Sequence, residues 1–199
     1  MSVLNSLTMN SDPSVQQAKK EIRCRIKALR EANPWPGSSR IVSRVTELPE
    51  WKEARTVLAY FPLPGEVDLR DLFQSEGKRI VLPLVEGDHL LLKEYSEKSL
   101  VPGYAGIMEP VADATDVDPS EIDFALIPGV AFDAQGGRMG RGKGYYDRLL
   151  PQLRCPLAGV AFDWQMVEKI PSERWDVRMD IIVCEEIITK PRPTGCGGG

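Results

Sequence analysis

A short run, Pro128-Gly129-Val130-Ala131-Phe132-Asp133, leads into Gly136-Gly137-Arg138-Met139-Gly140-Arg141-Gly142-Lys143-Gly144-Tyr145-Tyr146-Asp147. Five glycines in the second run leave backbone N–H groups uncovered, and Arg138, Arg141 and Lys143 interleave with them. A helix expected to begin near Gly144, with Tyr146, Leu149 and Leu150 on its apolar side, adds the positive end of its dipole. Cations and backbone donors converging on one loop suit an anion, and a polyphosphate fits best. Two common fingerprints are absent. Gly137-x-x-x-x-Gly142-Lys143 has P-loop spacing, but Gly144 stands where a Ser or Thr would hold magnesium, and G-x-G-x-x-G fails at Tyr145. On residue types alone the segment either binds a phosphorylated ligand, with or without magnesium, or is a flexible glycine-rich loop with solvated basic residues. Asp147 is then either a magnesium ligand or a carboxylate at a helix start, and the tyrosines are either binding or packing residues.

The rest of the composition narrows the chemistry. The chain has 199 residues, enough for one domain with a real core, and its net charge is -4 with a pI near 5.2. A nucleic-acid backbone is a poor partner for that balance, so an RNA-binding use of Arg141-Gly142-Lys143-Gly144-Tyr145-Tyr146, although basic residues sit beside aromatics there, is a distant alternative. One histidine, His89, lies in the turn-like run Glu86-Gly87-Asp88-His89, which removes most Ser-His and Cys-His nucleophile schemes. Cys24, Cys155, Cys184 and Cys196 form no C-x-x-C pair, so structural zinc is not expected. No basic-then-apolar leader and no membrane-length apolar run occur, which points to a cytoplasmic protein with free thiols and no membrane partner.

The loop must be positioned by something, and the hydrophobic pattern supplies it. Asp12-Pro13 starts a helix on which Val15, Ala18, Ile22, Ile26 and Leu29 recur at helical spacing. Lys19 and Arg23 lie four apart on it, and a solvated basic face is the plainer reading of spacing alone. Asn33-Pro34-Trp35-Pro36-Gly37 breaks this helix, and Ile41, Val42, Val45 and Leu48 predict a second. Thr56 to Phe61 and Ile80 to Val85 read as doubly covered strands, joined by a helix capped by Asp68 and closed by Gly77. Further strands are expected at Leu90 to Tyr95, Phe124 to Pro128, Leu157 to Phe162 and Ile181 to Cys184, with a long surface loop over Val101 to Pro110. The alternation predicts an α/β fold: a single-domain three-layer sandwich with a mostly parallel sheet flanked by helices. Residues 1–11 read as a polar leader, 12–190 as the domain, and 191–199 as a disordered Pro/Gly-rich tail.

The run from Arg138 to Asp147, with the preceding Pro-Gly-x-Ala-Phe-Asp, closely resembles the signature of 5-formyltetrahydrofolate cyclo-ligases, also called 5,10-methenyltetrahydrofolate synthetases. In outline the likeness extends from Ala18-Lys19-Lys20-Glu21-Ile22-Arg23 to Asp176-Val177-Arg178-Met179-Asp180. The resemblance implies an α/β sandwich, ATP as co-substrate, Mg²⁺, and a reduced folate as substrate, with a monomer expected. It implies that Lys19 and Arg23 reach the nucleotide phosphates, and that Arg138, Met139, Gly140, Arg141, Gly142, Lys143, Gly144, Tyr145 and Tyr146 wrap the ATP. Arg141 to Tyr145 would also border the folate, with Phe61 and Glu66 in its pocket and Asp147 and Asp180 as magnesium carboxylates. Independently, Glu66 follows Pro64-Gly65 just past a strand end, where open sheets place ligand contacts, although without the resemblance it reads as readily as a surface residue; Asp180 on sequence alone reads more readily as a turn residue than as a ligand.

The implied chemistry is activation of a poor leaving group. The formyl oxygen attacks the γ-phosphorus of ATP, releasing ADP and giving an imidate phosphate; N10 then closes the ring and inorganic phosphate departs. Arg141, Lys143 and Tyr145 are the implied catalytic residues, stabilising charge on the transferring group. One departure from the pattern is Trp175-Asp176 where relatives often carry His-Asp, with Arg178 an added charge. Two other readings are a phosphosugar isomerase-like enzyme needing no ATP, and a paralogue that binds folate or nucleotide without turnover.

Overall fold

The computed structural model describes residues 12–33, 37–103, 106–173 and 176–191. The expected leader, all of the expected tail beyond Pro191, most of the Pro-Trp-Pro breaker, and Trp175 lie outside the described residues.

Helix α1, Pro13–Ala32, starts as its sequence predicts, with Asp12 accepting a hydrogen bond of 2.8 Å from the Ser14 N–H and Pro13 at the first position. Helix α2, Ser39–Glu47, is followed by α3, Pro49–Glu53. Strand β1, Thr56–Leu58, then crosses to β2, Arg79–Glu86, which turns through Gly87-Asp88 into β3, His89–Glu94. The expected crossover helix is reduced to one 3-10 turn, Arg70–Leu72. Its apolar residues are few, and buried Val67, Leu69, Leu72 and Phe73 fix the connection by side-chain packing instead. The expected surface loop at 101–110 is also corrected, since its described residues include two paired strands. Strand β4, Leu100–Pro102, pairs antiparallel with β5, Met108–Pro110, around a turn in which Gly103 N–H donates to the Ile107 carbonyl at 2.7 Å.

Strand β6, Phe124–Ile127, is followed by the hairpin β7, Ala131–Asp133, and β8, Arg138–Met139, so part of the glycine-rich segment is strand. Helix α4, Tyr145–Leu149, begins where the sequence predicts. Strand β9, Leu157–Val160, β10, Met166–Val167, β11, Ile181–Val183, and β12, Ile188–Thr189, complete the chain.

Seven strands form the main sheet in the order β12-β11-β9-β6-β1-β2-β3, parallel through its five central strands and antiparallel at each edge. Neighbouring strand residues serve opposite cores. Val57, Phe124, Leu126, Ile181 and Val183 pack under α2 and α3 with Ile41, Val45 and Trp51, while Leu58, Ala125, Ile127 and Ile182 pack with Leu149 and Leu150 of the α4 side. This is the reason the strands read as unbroken apolar runs: a sheet covered on both faces has no polar side. The expected three-layer sandwich is what the chain forms. Helix α1 sits apart from both cores, closing the small β10-β7-β8 sheet by packing Ile26 on Ala131, Met139, Val167 and Ile170. Among the described residues no helix is long and apolar enough to cross a membrane.

Candidate active site

The carboxyl ends of β1 and β6 open into a cavity of about 390 Å³, the position at which parallel sheets bind ligands. Phe61, Leu63, Pro83, Val85, Leu90 and Met108 give it an apolar wall, and the segment Gly140 to Asp147 gives it a polar one. Phe61 and Glu66 therefore stand opposite the anion loop in the folded chain, although seven decades of sequence separate them from it. A second cavity of about 220 Å³ shares Glu66, Gly129 and Arg141 with the first and is otherwise lined by α1 and by Trp164 and Gln165.

Each cation of the loop has a distinct setting. Arg138, with its side chain almost fully covered, donates to the Pro128 carbonyl at 3.2 Å and to Asp147 Oδ1 at 2.8 Å, and lies 5.4 Å from the Tyr146 ring centre. Burial draws its pKa down from the usual guanidinium value, opposed by Asp147 and Tyr146; an arginine starting so high stays charged at neutral pH. Arg141 places Nε and Nη2 at 3.1 and 2.9 Å from Glu66 Oε1. The other Glu66 oxygen accepts the Leu63 N–H at 3.0 Å, which fixes the carboxylate and, through it, the arginine. Lys143 is exposed, lines the main cavity, and its ammonium has no hydrogen bond or ion pair among the described residues. Arg148 donates from Nε to the Asp88 carbonyl at 2.6 Å and from Nη2 to the Lys143 carbonyl at 3.1 Å, tying α4 to the β2–β3 turn.

Gly144 makes the sharp entry into α4 possible. It is the N-cap residue at φ +73°, in the left-handed region, and a Cβ there would fall 2.8 Å from Arg148 Nη1. Gly144→Ala is expected to lower stability by about 1–2 kcal/mol and to loosen the Arg148 anchor, readable as a lower urea midpoint at unchanged m-value. Tyr145 points its hydroxyl toward the Gly87 carbonyl at 3.5 Å, under Arg148. The Tyr146 phenol is pushed up by burial and by the Glu66 carboxylate, so it is protonated throughout the neutral range. Burial likewise pushes the Cys155 thiol up to about 11 and the Cys184 thiol up to about 12, which suits neither for nucleophilic work.

From α1, Arg23 reaches the loop, its Nε 3.4 Å from the Gly140 carbonyl. Lys19 does not present itself to either cavity. Its ammonium lies 3.1 Å from Asp176 and 3.6 Å from Glu173, and its side chain is 11% exposed. Met139 is buried against α1 and contributes backbone rather than side chain to this region. The structure does not bring Asp147 and Asp180 to one place. Asp147 is exposed and bonded to Arg138, while Asp180, at the amino end of β11, accepts the Leu157 N–H at 2.8 Å and lines neither cavity. A shared magnesium site between them does not fit this arrangement, because Asp180 holds two parallel strands together by a backbone contact. Among the described residues no three His, Cys, Asp or Glu side chains cluster to hold a metal ion.

Sequence reading missed Glu109, which is 5% exposed, lines the main cavity and comes from the supposed loop. It also missed Lys27 and Arg30, which line the second cavity; their spacing from Arg23, four and then three residues, was the available signal.

The profile of the 5-formyltetrahydrofolate cyclo-ligase family matches residues 14–185. The chain is 34% identical over 173 residues to a 5-formyltetrahydrofolate cyclo-ligase of Escherichia coli K12, spanning 81% of this chain and 95% of that one. It superposes with a TM-score of 0.79 on the NMR structure of an Aquifex aeolicus 5,10-methenyltetrahydrofolate synthetase, 37% identical, over 91% of this chain and 96% of that one. A synthetase of the same name from Mycoplasma pneumoniae gives 0.68 at 27% identity, over 84% and 99%.

Proposed function

The chain belongs to the 5-formyltetrahydrofolate cyclo-ligase family, and from that premise we infer that its main cavity closes 5-formyltetrahydrofolate to 5,10-methenyltetrahydrofolate at the cost of ATP. The observation that carries the reading is the Glu66–Arg141 contact, which joins an apolar wall suited to a pterin ring to a glycine-rich cationic loop suited to a triphosphate.

The residues divide the work accordingly. Phe61, Leu63, Pro83 and Val85 bury the ring system and exclude water. Glu66 orients Arg141 at the boundary, and Lys143 lies in the same loop with no ionic partner among the described residues, so both can meet charge gathering on the transferring phosphoryl group. The N–H groups of the loop from Gly140 to Gly144 serve the same anion. Arg138 with Tyr146 is the rigid base of the loop, and Arg23 braces Gly140 from α1. Lys19, committed to Asp176 and Glu173, would reach a phosphate only after leaving those acids; holding the 173–176 segment on α1 is the role its contacts support.

Magnesium belongs to this reading as a companion of the nucleotide. When bound it would neutralise phosphate oxygens, a hard cation preferring carboxylate and water ligands, and Asp147 is the carboxylate beside the loop suited to touch it. Asp180 supports β9 and β11 instead. The reading includes a monomeric enzyme in the cytoplasm, where Cys24, Cys155 and Cys184 stay free.

The decisive experiment mixes the protein with 5-formyltetrahydrofolate, ATP and magnesium and follows the methenyl-folate absorbance band, with matched omissions. A rise requiring ATP and metal supports the reading; a rise without nucleotide would replace it with an ATP-independent enzyme, and binding without any rise with a non-catalytic folate protein. Within it, Glu66→Ala should cut kcat about tenfold by releasing Arg141 and leaving the Leu63 N–H unpaired. Glu66→Gln, whose amide oxygen can still accept from Leu63, should lose less. Equal losses in the two variants would mean that backbone support plays no part.

A further inference from the structure

Lys143 is a charge on which the transfer just described depends, yet its side chain does nothing to fix its place. Its ammonium has no hydrogen bond or ion pair among the described residues. Its backbone is no stiffer by residue type, since Gly142 and Gly144 flank it at φ +91° and +73°, and glycine is the residue with the most backbone freedom to lose. A misplacement of about 1 Å can cost about a hundredfold in rate, so such a charge needs support from elsewhere. That support reaches the Lys143 carbonyl, which accepts from Arg148 Nη2 at 3.1 Å. The same guanidinium donates from Nε to the Asp88 carbonyl at 2.6 Å and lies 5.7 Å from the Tyr145 ring centre. Asp88 belongs to the turn between β2 and β3, and Val85 and Leu90 on either side of that turn line the main cavity. One planar group thus ties the middle of the anion loop to the apolar wall.

We propose that Arg148 is the positioning residue for Lys143: by bridging the Lys143 and Asp88 carbonyls, it sets the lysine at a fixed place relative to the wall that holds the folate ring. This rests on the phosphoryl role given to Lys143 above. Arg148 itself lines neither cavity, so it acts through the lysine and not on a substrate. The bridge depends on the shape of the guanidinium as well as its charge. Two carbonyls in different segments are spanned by separate N–H donors on one rigid plane, whereas an ammonium is a single point at the end of a flexible stem. The first turn of α4 fixes the base of the side chain, with the Arg148 N–H donating to the Gly144 carbonyl at 3.2 Å. Gly144 also leaves room for the fork, because a Cβ there would fall 2.8 Å from Nη1.

The test is a double-mutant cycle on the full-length protein, read by the methenyl band, together with ¹⁵N order parameters of the free protein at Gly142, Lys143 and Gly144. Arg148→Ala is expected to lower kcat about tenfold with the folate KM within about threefold. In a Lys143→Ala background the same change should cost less than about twofold, because the residue it positions is gone. Equal losses in both backgrounds overturn the proposal, since a general structural role would act in each. Arg148→Lys should recover little of the rate; full recovery would mean that charge alone matters and the bridge does not. The order parameters are expected near about 0.85 in wild-type protein and below about 0.6 in Arg148→Ala. Equal values in the two overturn the proposal whatever the activity. If the loop loosens in the variant but wild-type protein gives no methenyl product, the positioning of Lys143 stands and the ring-closure reading falls.

Discussion

Lys143→Ala is expected to lower kcat by about 100- to 1000-fold while the folate KM changes by less than about threefold. The other cations near the anion loop already have partners: Arg138 holds Asp147, Arg141 holds Glu66 and Arg148 holds two backbone carbonyls. The Lys143 ammonium has none among the described residues, so its charge is available to a ligand without first breaking a contact. An interaction that strengthens as charge gathers in the transition state appears in kcat; one equal in ground and transition states appears in KM. Progress curves of the methenyl band at saturating ATP separate the two. Lys143→Arg should recover part of the rate, because it keeps the charge but spreads it over a wider planar group. An alanine variant with intact kcat would remove Lys143 from the chemistry and leave Arg141 with the loop amides to carry it.

Asp133→Ala should destabilise the fold by roughly 3–5 kcal/mol, a loss measurable as a shifted urea midpoint. Asp133 is 3% exposed, and its carboxylate gathers three backbone donors from two segments: Gln135 and Gly137 N–H at 2.9 and 2.8 Å on one oxygen, and Ile170 N–H at 2.7 Å on the other. Truncation leaves all three without that acceptor, and the Gly137 and Ile170 N–H groups are buried, where each unpaired group costs about 1–3 kcal/mol. Asp133→Asn should cost less, since one amide oxygen can still serve part of the set. The consequence reaches the site, because the same carboxylate closes the β7–β8 turn that delivers Arg138. A loss below about 1 kcal/mol for the alanine variant would mean that water replaces the carboxylate, and the turn would then owe its shape to Gly136 and Gly137 instead.

Much of this was legible along the chain. The start of α1 at Asp12-Pro13, the apolar runs of β1, β2, β6 and β11, and the entry into α4 at Gly144 depend on residues within a few positions of one another. Where the local signal was thin it misled. Asp68 and Gly77 framed what looked like a helix, but packing of Leu69, Leu72 and Phe73 into the core left a single 3-10 turn. The Pro/Gly-rich stretch at 101–110 looked like open loop, yet its ladder with β5 supplies Ile107, Met108 and Glu109 to the cavity.

The amino-acid sequence alone determined the layered α/β architecture, the glycine-rich cationic segment and the family to which they belong, because strand and helix periods and a contiguous motif are written over short spans. Tertiary structure alone decided which charges are available to a ligand. Lys19 meets Asp176 across 157 positions and Arg141 meets Glu66 across 75, and no periodicity records such encounters. The same holds for Asp180, drawn to a backbone N–H at the amino end of β9, and for Lys27 and Arg30, which line a cavity without partners among the described residues. Whether a charged side chain is engaged or free depends on what the fold brings within a few ångströms of it, since charge-assisted contacts of this kind act only at such range.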